Sequence, residues 1–562
     1  MHLLQFFSLF PWLLASVLLF FACFSPSAYS APDAGALQQQ IDRERVTPLP
    51  KQIIPTEVAP QAVKADSGQT ITLRAFVFKG NTRISSEELA QVVSAYLARP
   101  LTFTELQQAA IAIATAYRSA GWVVSAYLPT QDFSDGNITI QIIEAVFGGT
   151  KLDGAVPARF NEARLMRFIN SAQSKGELLN ADSLDRALLV LDDLAGVSVS
   201  GTLNKGAGVN ETELLIKTVD EPLIQGDVTT DNGGSRATGS ERVNASFYLN
   251  SPMGWGDQAT ANVMHSQGSD YSRLAYTVPM GHDGLRLGAS GSYLSYALVT
   301  DTFQGVQAKG TSSTFGLEAN YPLIRSRTKN LYAGFNIENK SFNNDSGLAA
   351  STHYAISDIR LGLNGNNFDK LGGGGANAAG LTLTYGEVKP DSANLAAPAA
   401  LAGFFTKLNY QLRRQQTITN SISATVALSG QAANCNLDSA EKFSLGGANG
   451  VRAYPSNEGG GADGHMVNLE LRSVLPNNLN LTGFYDYGRV SVNHDNDTFL
   501  DPNTIILKGA GLSLAWQARV GFNLKATWAQ RIGNNPNPTS TGTDQDGTLK
   551  ENRFWLNAAL AF

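Results

Sequence analysis

The chain has 562 residues, only 16% of them charged, and a formal net charge of −6. Soluble chains carry about 25% charged residues, yet mean hydropathy here is only −0.11, and no stretch after residue 24 is apolar for long enough to be a membrane helix. Abundant Gly, Phe and Tyr with few charges fit a β-rich protein or a membrane barrel, and a mildly acidic chain without basic tracts argues against a nucleic-acid partner.

Residues 1–30 contain no Asp, Glu, Lys or Arg, and Leu3 to Phe24 is almost wholly apolar. Ala28 and Ser30 are small residues spaced for cleavage before Ala31. This predicts a signal peptide, with an uncleaved anchor helix as the alternative; either takes the chain out of the cytoplasm. Cys23 lies in that leader, and Phe20-Phe21-Ala22 is a poor context for lipid attachment. Cys435 is then the one thiol of the mature chain, which excludes an internal disulfide and a cysteine metal site.

Residues 31–45 predict one short helix around Leu37 and Ile41, with few apolar residues to dock it. Pro48, Pro50, Pro55 and Pro60 keep 46–70 extended as a linker. Order resumes at Ile71, where Thr72 to Phe78 alternates like a strand. Ser85, Ser86, Glu87 and Glu88 open a helix, and Thr102 or Thr104 opens another that Gly121 ends. Trp122 to Leu128 and Ile138 to Ile143 are strands. The order β-α-α-β-β then recurs: a strand Phe147 to Leu152, helices Asn161 to Ile169 and Ser183 to Leu194, and strands Val197 to Leu203 and Glu213 to Val219. Two such units, 71–146 and 147–221, predict a tandem repeat. Their open strand edges can accept an extended peptide, although the units could also be mere spacers.

After Pro222 only alternating segments and turns follow. Val243, Ala245, Phe247 and Leu249 face one way, with Asn244, Ser246 and Tyr248 opposite. Leu381, Leu383 and Tyr385 alternate with Thr382, Thr384 and Gly386. Ile422, Ala424, Val426 and Leu428 form another such face. Phe554, Leu556, Ala558, Leu560 and the terminal Phe562 form the last. The pattern predicts sixteen strands, near 223–231, 242–249, 257–265, 271–279, 285–298, 312–322, 330–339, 354–364, 380–389, 402–412, 417–429, 464–475, 479–490, 507–517, 519–530 and 552–562. Connections after even strands are short and several after odd strands are long, as in an outer-membrane barrel. A sheet in hydrocarbon cannot keep an edge, so 222–562 must close. Sixteen strands leave a bore too wide for side chains alone to fill, so the barrel is a pore, open or plugged. A soluble β-sandwich or β-helix is the competing reading; the leader, the loop asymmetry and Phe562 oppose it.

Three stretches then carry a specific resemblance. The first is Thr230-Asp231-Asn232-Gly233-Gly234-Ser235 with Thr238-Gly239 and Arg242 after it. The second is Glu441-Lys442-Phe443-Ser444-Leu445-Gly446-Gly447-Ala448-Asn449-Gly450-Val451-Arg452-Ala453-Tyr454-Pro455. The third is Phe484-Tyr485-Asp486-Tyr487-Gly488-Arg489-Val490. Together they resemble the TpsB transporters of two-partner secretion, the hemolysin secretion/activation group of the outer-membrane POTRA-barrel superfamily. The resemblance implies α+β periplasmic POTRA repeats followed by an all-β, 16-stranded transmembrane β-barrel. It further implies that the helix within 31–45 can plug the pore, that the long loop folds inward, and that the cargo is a large β-helical exoprotein of hemolysin or adhesin type, recognised unfolded. The other partners implied are outer-membrane lipid, the barrel-assembly machinery, with Phe562 as the C-terminal signal, and periplasmic chaperones. Val451, Arg452, Ala453 and Tyr454 form the loop motif, and Phe484, Asp486 and Gly488 the strand motif. Ala453 stands where the family usually has Gly and is strained there if φ is positive.

The residues themselves support one pair. If Leu481, Tyr485 and Tyr487 face lipid, then Phe484, Asp486 and Gly488 face the lumen. An arginine fork binds a carboxylate bidentately, so Arg452 is expected to pair with Asp486 and hold the loop tip inside. No cofactor, metal or catalysis is expected. Gly459-x-Gly461-x-x-Gly464 precedes a strand and not a helix, which fails the dinucleotide context. Asp495/Asp497 and Asp544/Asp546 lack a complete calcium loop. The expected function is a protein translocation pore driven by cargo folding outside; the alternatives are a barrel-assembly factor and a passive porin.

Overall fold

The computed structural model describes residues 32–44, 70–131, 135–300, 307–347, 351–391, 401–497, 502–518 and 521–562. The leader expected over 1–30, and nearly all of the linker expected over 46–70, lie outside the described residues.

Two small α+β units come first. In one, the central strand Asn137–Glu144 runs parallel to Ala75–Lys79 and antiparallel to Val124–Tyr127. Helices α2 (Ser86–Val92) and α3 (Phe103–Ser119) follow α1, the lone helix Ala34–Glu44. Both α2 and α3 start in capping boxes, Ser85 with Glu88 and Thr102 with Glu105, each satisfying two backbone N–H groups that a helix start leaves open. Gly121, at φ 83°, ends α3 in the left-handed region. The expected single strand over 72–78 is a correction: it is broken in two. Thr70–Thr72 pairs with Pro100–Thr102, and Ala75–Lys79 joins the main sheet. The break lets Leu73 bury its side chain with Leu101, Leu106 and Ile138, while the Arg74 N–H donates to the Gly136 carbonyl.

The second unit repeats the plan. Its central strand Glu211–Asp220 runs parallel to Val146–Leu152 and antiparallel to Val197–Lys205. Helices α4 (Glu162–Ala172) and α5 (Ala181–Asp192) cover one face, with Phe147, Phe168, Leu184, Leu191, Leu214 and Ile216 in the core. Val197–Lys205 is an edge of this three-stranded sheet. This unit also docks on the barrel. Asp193 at the end of α5 takes two 2.8 Å hydrogen bonds from Arg325, and Asp185 meets Arg327 at 2.6 Å.

Sixteen antiparallel strands then close into a barrel. They are Ile224–Asp231, Arg242–Asn250, Gln258–Ser266, Ser269–Met280, Leu285–Ala297, Lys309–Arg325, Lys329–Asp345, Thr352–Asp369, Gly375–Pro390, Gly403–Thr417, Ile422–Ala433, Asp463–Leu475, Leu479–Ser491, Thr504–Gln517, Phe522–Arg531 and Asn552–Ala561. The last strand pairs with the first from Asn557 opposite Asp231 to Ala561 opposite Asp227, so no edge is left to hydrocarbon. Each expected strand is present. The sixth to ninth run farther than the alternation marked, the eighth to 18 residues. The alternation of hydrophobicity fades where a wall leaves the apolar layer, but the backbone ladder continues. The hairpin expected near 413–416 instead turns after Thr417. The second unit and the hairpins 281–284, 326–328 and 476–478 mark the short-turn rim. Residues 434–462 and 532–551 are long connections at the other rim, where Gln267-Gly268 alone makes a two-residue turn.

The outward faces are as the alternation implies: Phe247, Leu381, Leu383, Tyr385, Val426, Phe554, Leu556 and Leu560 are exposed. Phe562 also points out. Its backbone exchanges hydrogen bonds with Gly226, and its ring meets Phe247 edge-on at 6.2 Å.

Candidate functional site

The site is the bore, and two elements fill it. The first is α1. Asp33 caps it by accepting from the Ala36 N–H at 2.8 Å and also accepts from Ser439 Oγ at 2.8 and 2.9 Å. Ala34 and Leu37 are buried in an apolar cluster with Leu294, Phe342, Ile356, Phe405 and Leu437 on the inner wall and loop. Thus the few apolar residues of α1 do dock, because the upper bore offers them an apolar surface. Polar contacts hold the rest. The Ala34 N–H donates to Asn344 Oδ1 at 2.9 Å, Gln40 Nε2 to the Gly233 carbonyl at 3.3 Å, and Arg43 Nη1 to the Ser444 carbonyl at 2.6 Å. At its C-terminal end Glu44 meets Arg242 at 2.8 Å, and Arg242 also binds Asp231 at 2.8 Å.

The second element is the loop 434–462, which folds inward. Phe443–Ser444 pairs with Gly460–Gly461, and the Val451 N–H donates to the Leu445 carbonyl at 2.8 Å, so the tip is a tight hairpin. It seats Leu445, Val451, Ala453 and Tyr454 on Met466, Phe484, Val490, Ile505 and Leu507 of the wall. Fully burying an apolar side chain stabilises by roughly 1.5–3 kcal/mol.

Arg452 and Asp486 meet. Arg452 Nη2 donates to Asp486 Oδ1 at 2.7 Å and Nε to Oδ2 at 2.9 Å, the bidentate fork. The Arg452 backbone N–H adds a third bond to Asp486 at 3.1 Å. Asp486 is 0% exposed and Arg452 6%. Glu470 takes Arg452 Nη1 at 2.8 Å, Asn468 Nδ2 donates to Asp486 at 2.7 Å, and Trp555 Nε1 donates to the Arg452 carbonyl at 2.7 Å. Phe484 is the platform beneath: the guanidinium carbon lies 3.5 Å from its ring centroid.

Gly488 faces the loop, and a Cβ there would lie 2.7 Å from Leu445 Cδ2 and 3.1 Å from Val451 Cγ2. Ala453 does not have positive φ, which removes the expected condition for strain. Its Cβ instead fills space left by Gly509, where a Cβ would sit 2.5 Å from it. Tyr454 is fully buried, with the Arg531 guanidinium 4.5 Å from its ring centroid.

A second anchor at the base of the loop was missed from sequence. Glu441, 1% exposed, takes Lys340 at 2.6 Å and Lys407 at 2.7 Å. Lys340 also meets Asp358 at 3.2 Å, and Arg360 binds Asp358 and Glu338 at 2.9 Å each. The available signal was charge on the lumen-facing positions of two neighbouring strands. Glu338 and Lys340 lie on one, and Asp358 and Arg360 on the next. Beside α1 and the loop tip remains a cavity of about 980 Å³, lined by Asn244, Asn262, Asn320, Asn336, Thr382 and Trp555 among others. Its polar wall suits water and polypeptide, not a buried apolar ligand.

Comparisons with known proteins give the family and the fold. The family model "Haemolysin secretion/activation protein ShlB/FhaC/HecB" matches residues 210–516, and the model "POTRA domain, ShlB-type" matches 71–145. The heme/hemopexin transporter protein HuxB of Haemophilus influenzae is 26% identical over 565 residues, 96% of each chain. The outer membrane transporter CdiB of Escherichia coli is 24% identical over 498 residues, 83% of this chain and 80% of that one. A solved structure of CdiB from Escherichia coli shares the fold, with a TM-score of 0.69 at 20% identity over 95% of this chain and 99% of that one. The chain belongs to the haemolysin secretion/activation family, the outer-membrane transporters of two-partner secretion.

Proposed function

We propose that this transporter secretes one large β-helical exoprotein, taken up unfolded in the periplasm and threaded through the barrel once α1 and the inward loop have moved. In this reading 1–30 is the export signal, 31–45 the plug, 46–70 its tether, 71–146 and 147–221 the two POTRA domains, and 222–562 the pore. The observation that carries it is the bore itself. A sixteen-stranded barrel is occupied by two elements that are held, beside their apolar seats, by hydrogen bonds and ion pairs, which water and an entering polypeptide can replace. The edge Val197–Lys205 is the first candidate to receive a cargo strand, because an edge presents unpaired backbone groups. Arg452–Asp486 is the lock of the loop, and Phe562 is the signal read by the barrel-assembly machinery. Periplasmic chaperones deliver the cargo, and its folding outside supplies the drive.

Likeness to HuxB along nearly the whole chain makes a haem- or hemopexin-directed exoprotein the first cargo to assay. The test is the extracellular and outer-membrane proteome of a strain lacking this chain. Loss of a single exoprotein supports the reading. Broad loss of barrels would point to an assembly factor, and no change in either would point to a passive porin.

A further inference from the structure

The outer wall carries a cluster of cations that the secretion pathway does not use. On the strand Leu479–Ser491, Leu481 and Tyr485 face outward and are exposed, while Phe484 and Asp486 face the bore. By the same alternation Tyr487 and Arg489 face outward. Arg489 lies directly opposite His465 on one neighbouring strand, and Lys508 directly opposite Tyr487 on the other. The Tyr487 and His465 rings are stacked, with centroids 6.1 Å apart. Arg489 and Lys508 are exposed. Neither makes an ion pair among the described residues. The acid just above, Asp463, is engaged by His494 at 2.8 Å and by the Ala433 N–H at 2.8 Å. Two other outward cations toward this rim pair locally, Lys389 with Glu387 and His265 with Asp270.

Height on the wall locates the cluster. The turn 476–478 is on the periplasmic rim. Above it the outward positions read Leu481, Tyr485, Tyr487 and then Arg489, and on the next strand Trp516, Leu514, Leu512, Ala510 and then Lys508. The cations lie at the extracellular edge of the apolar band, where the exposed Ile506 opposite Arg489 is the last outward apolar side chain of its strand, at the level of an aromatic girdle. Unpaired cations on a lipid face are unfavourable in hydrocarbon, and like charges on adjacent strands repel. An anionic headgroup at that depth relieves both. Arg supplies a fork that fits a phosphate, Lys a point charge, and Tyr487 a flat apolar surface beside them.

We propose that Arg489, Lys508 and His465, flanked by Tyr487, form a binding site for a phosphate group of a phosphorylated glycolipid in the outer leaflet. This rests on the outer-membrane reading of the barrel. The site backs onto the strand whose inner face holds Asp486 and Gly488, so a bound lipid would brace the wall that carries the loop tip.

The test uses the full chain in phosphatidylcholine nanodiscs containing bis-phosphorylated lipid A or the same lipid dephosphorylated. Native mass spectrometry reads retained lipid, and the thermal midpoint reads its effect on the barrel. The unsubstituted protein is expected to retain the phosphorylated form and to gain thermal stability from it. The Arg489→Ala/Lys508→Ala double variant should bind it about 30-fold more weakly, from the loss of two surface cations. The Arg489→Lys/Lys508→Arg variant should keep most of the binding, and Lys389→Ala should keep all of it. Equal retention of both lipids, or undiminished retention by the double alanine variant, would overturn the site. Gel mobility of unheated against heated samples reports separately whether the barrel is folded in the membrane. Failure of the lipid site therefore leaves the barrel reading intact, and failure of the barrel reading shows as a missing folded form.

Discussion

The inward loop is fixed at its tip and at its base by different chemistry. At the tip one cation meets a dedicated carboxylate: Arg452 has two directional bonds to Asp486, a backbone bond to the same group, and Phe484 beneath it. At the base one carboxylate serves two cations, Glu441 between Lys340 and Lys407, and Lys340 belongs to a wider network with Asp358, Arg360 and Glu338. The tip is specific in geometry and intolerant of loss, because Glu470 reaches only Arg452 Nη1 and leaves the three bonds to Asp486 unmet. Around Lys340 the base is redundant in charge, so that cation can exchange partners. A loop that must stay shut and later open is well served by one rigid fastening and one adaptable one.

The comparison predicts unequal consequences. Asp486→Ala leaves Arg452 buried with only Glu470 as counter-ion, and breaking a buried pair costs about 3–5 kcal/mol. The barrel should unfold at markedly lower urea, and secretion should fall. Charge reversal at both Arg452 and Asp486 should recover part of the secretion lost in either single variant. No recovery at normal barrel abundance would count against direct pairing.

Glu441→Gln should do less to stability, about 1.5–3 kcal/mol for one charged hydrogen-bonded group, since Lys340 keeps Asp358. Its larger sign should be raised ion conductance in planar bilayers, because the base of the loop loosens while the tip stays fastened. Conductance unchanged from the native channel would mean that the base does not hold the loop.

Gly488→Ala sharpens the tip side alone. Its new methyl meets Leu445, and overpacking of this kind typically costs about 1–3 kcal/mol. Melting of the Gly488→Ala barrel should drop without any change in the Glu441 network. A substitution without effect would show that the tip packs more loosely than described.

Far from both anchors, Glu144 of the first periplasmic unit gives the smallest expected effect. Burial opposes its charge, but bonds from Thr82, the Arg83 N–H and Tyr117 prevail and hold its carboxyl below the usual range. A depressed folded-state value means that its stabilisation is complete above the unfolded pKa and fades as pH falls through the folded one. Amide exchange at Thr82 and Arg83, corrected for intrinsic rates, should therefore speed up on acidification. In Glu144→Gln it should already be fast at neutral pH. Exchange insensitive to acid would remove Glu144 as the clasp of that turn.

How much of this was legible follows the same division. Alternation fixed the barrel strands, since residues such as Leu381, Leu383 and Tyr385 must all face lipid, and one register slip would turn them inward. The Arg452–Asp486 pair could be inferred because both ends lie in dense motifs. Glu441 sits in such a motif too, but Lys340 is 101 residues away on a plain strand, and no local period links them. Leu73 shows the other limit. Its burial breaks a strand that alternation reads as continuous, because the partner Leu101 is brought by a separate hairpin-like contact. The docking of α1 was hidden for a related reason: its apolar surface is completed by Phe342 and Leu437, and that complementarity exists only once the barrel has closed.

The central claim is that α1 and the loop must part from the bore before cargo passes, and a reversible tether tests it most directly. A Cβ at Gly35 would lie 3.1 Å from Ala440 Cβ and 2.7 Å from Ser439 Oγ, so a small shift of α1 away from the loop brings the two Cβ atoms to the disulfide distance of about 3.5–4.5 Å. With Cys435→Ser in the background, Gly35→Cys and Ala440→Cys should cross-link α1 to the base of the loop. Secretion should stop while the bond is formed and resume on reduction. Undiminished secretion from a fully cross-linked population would contradict the account.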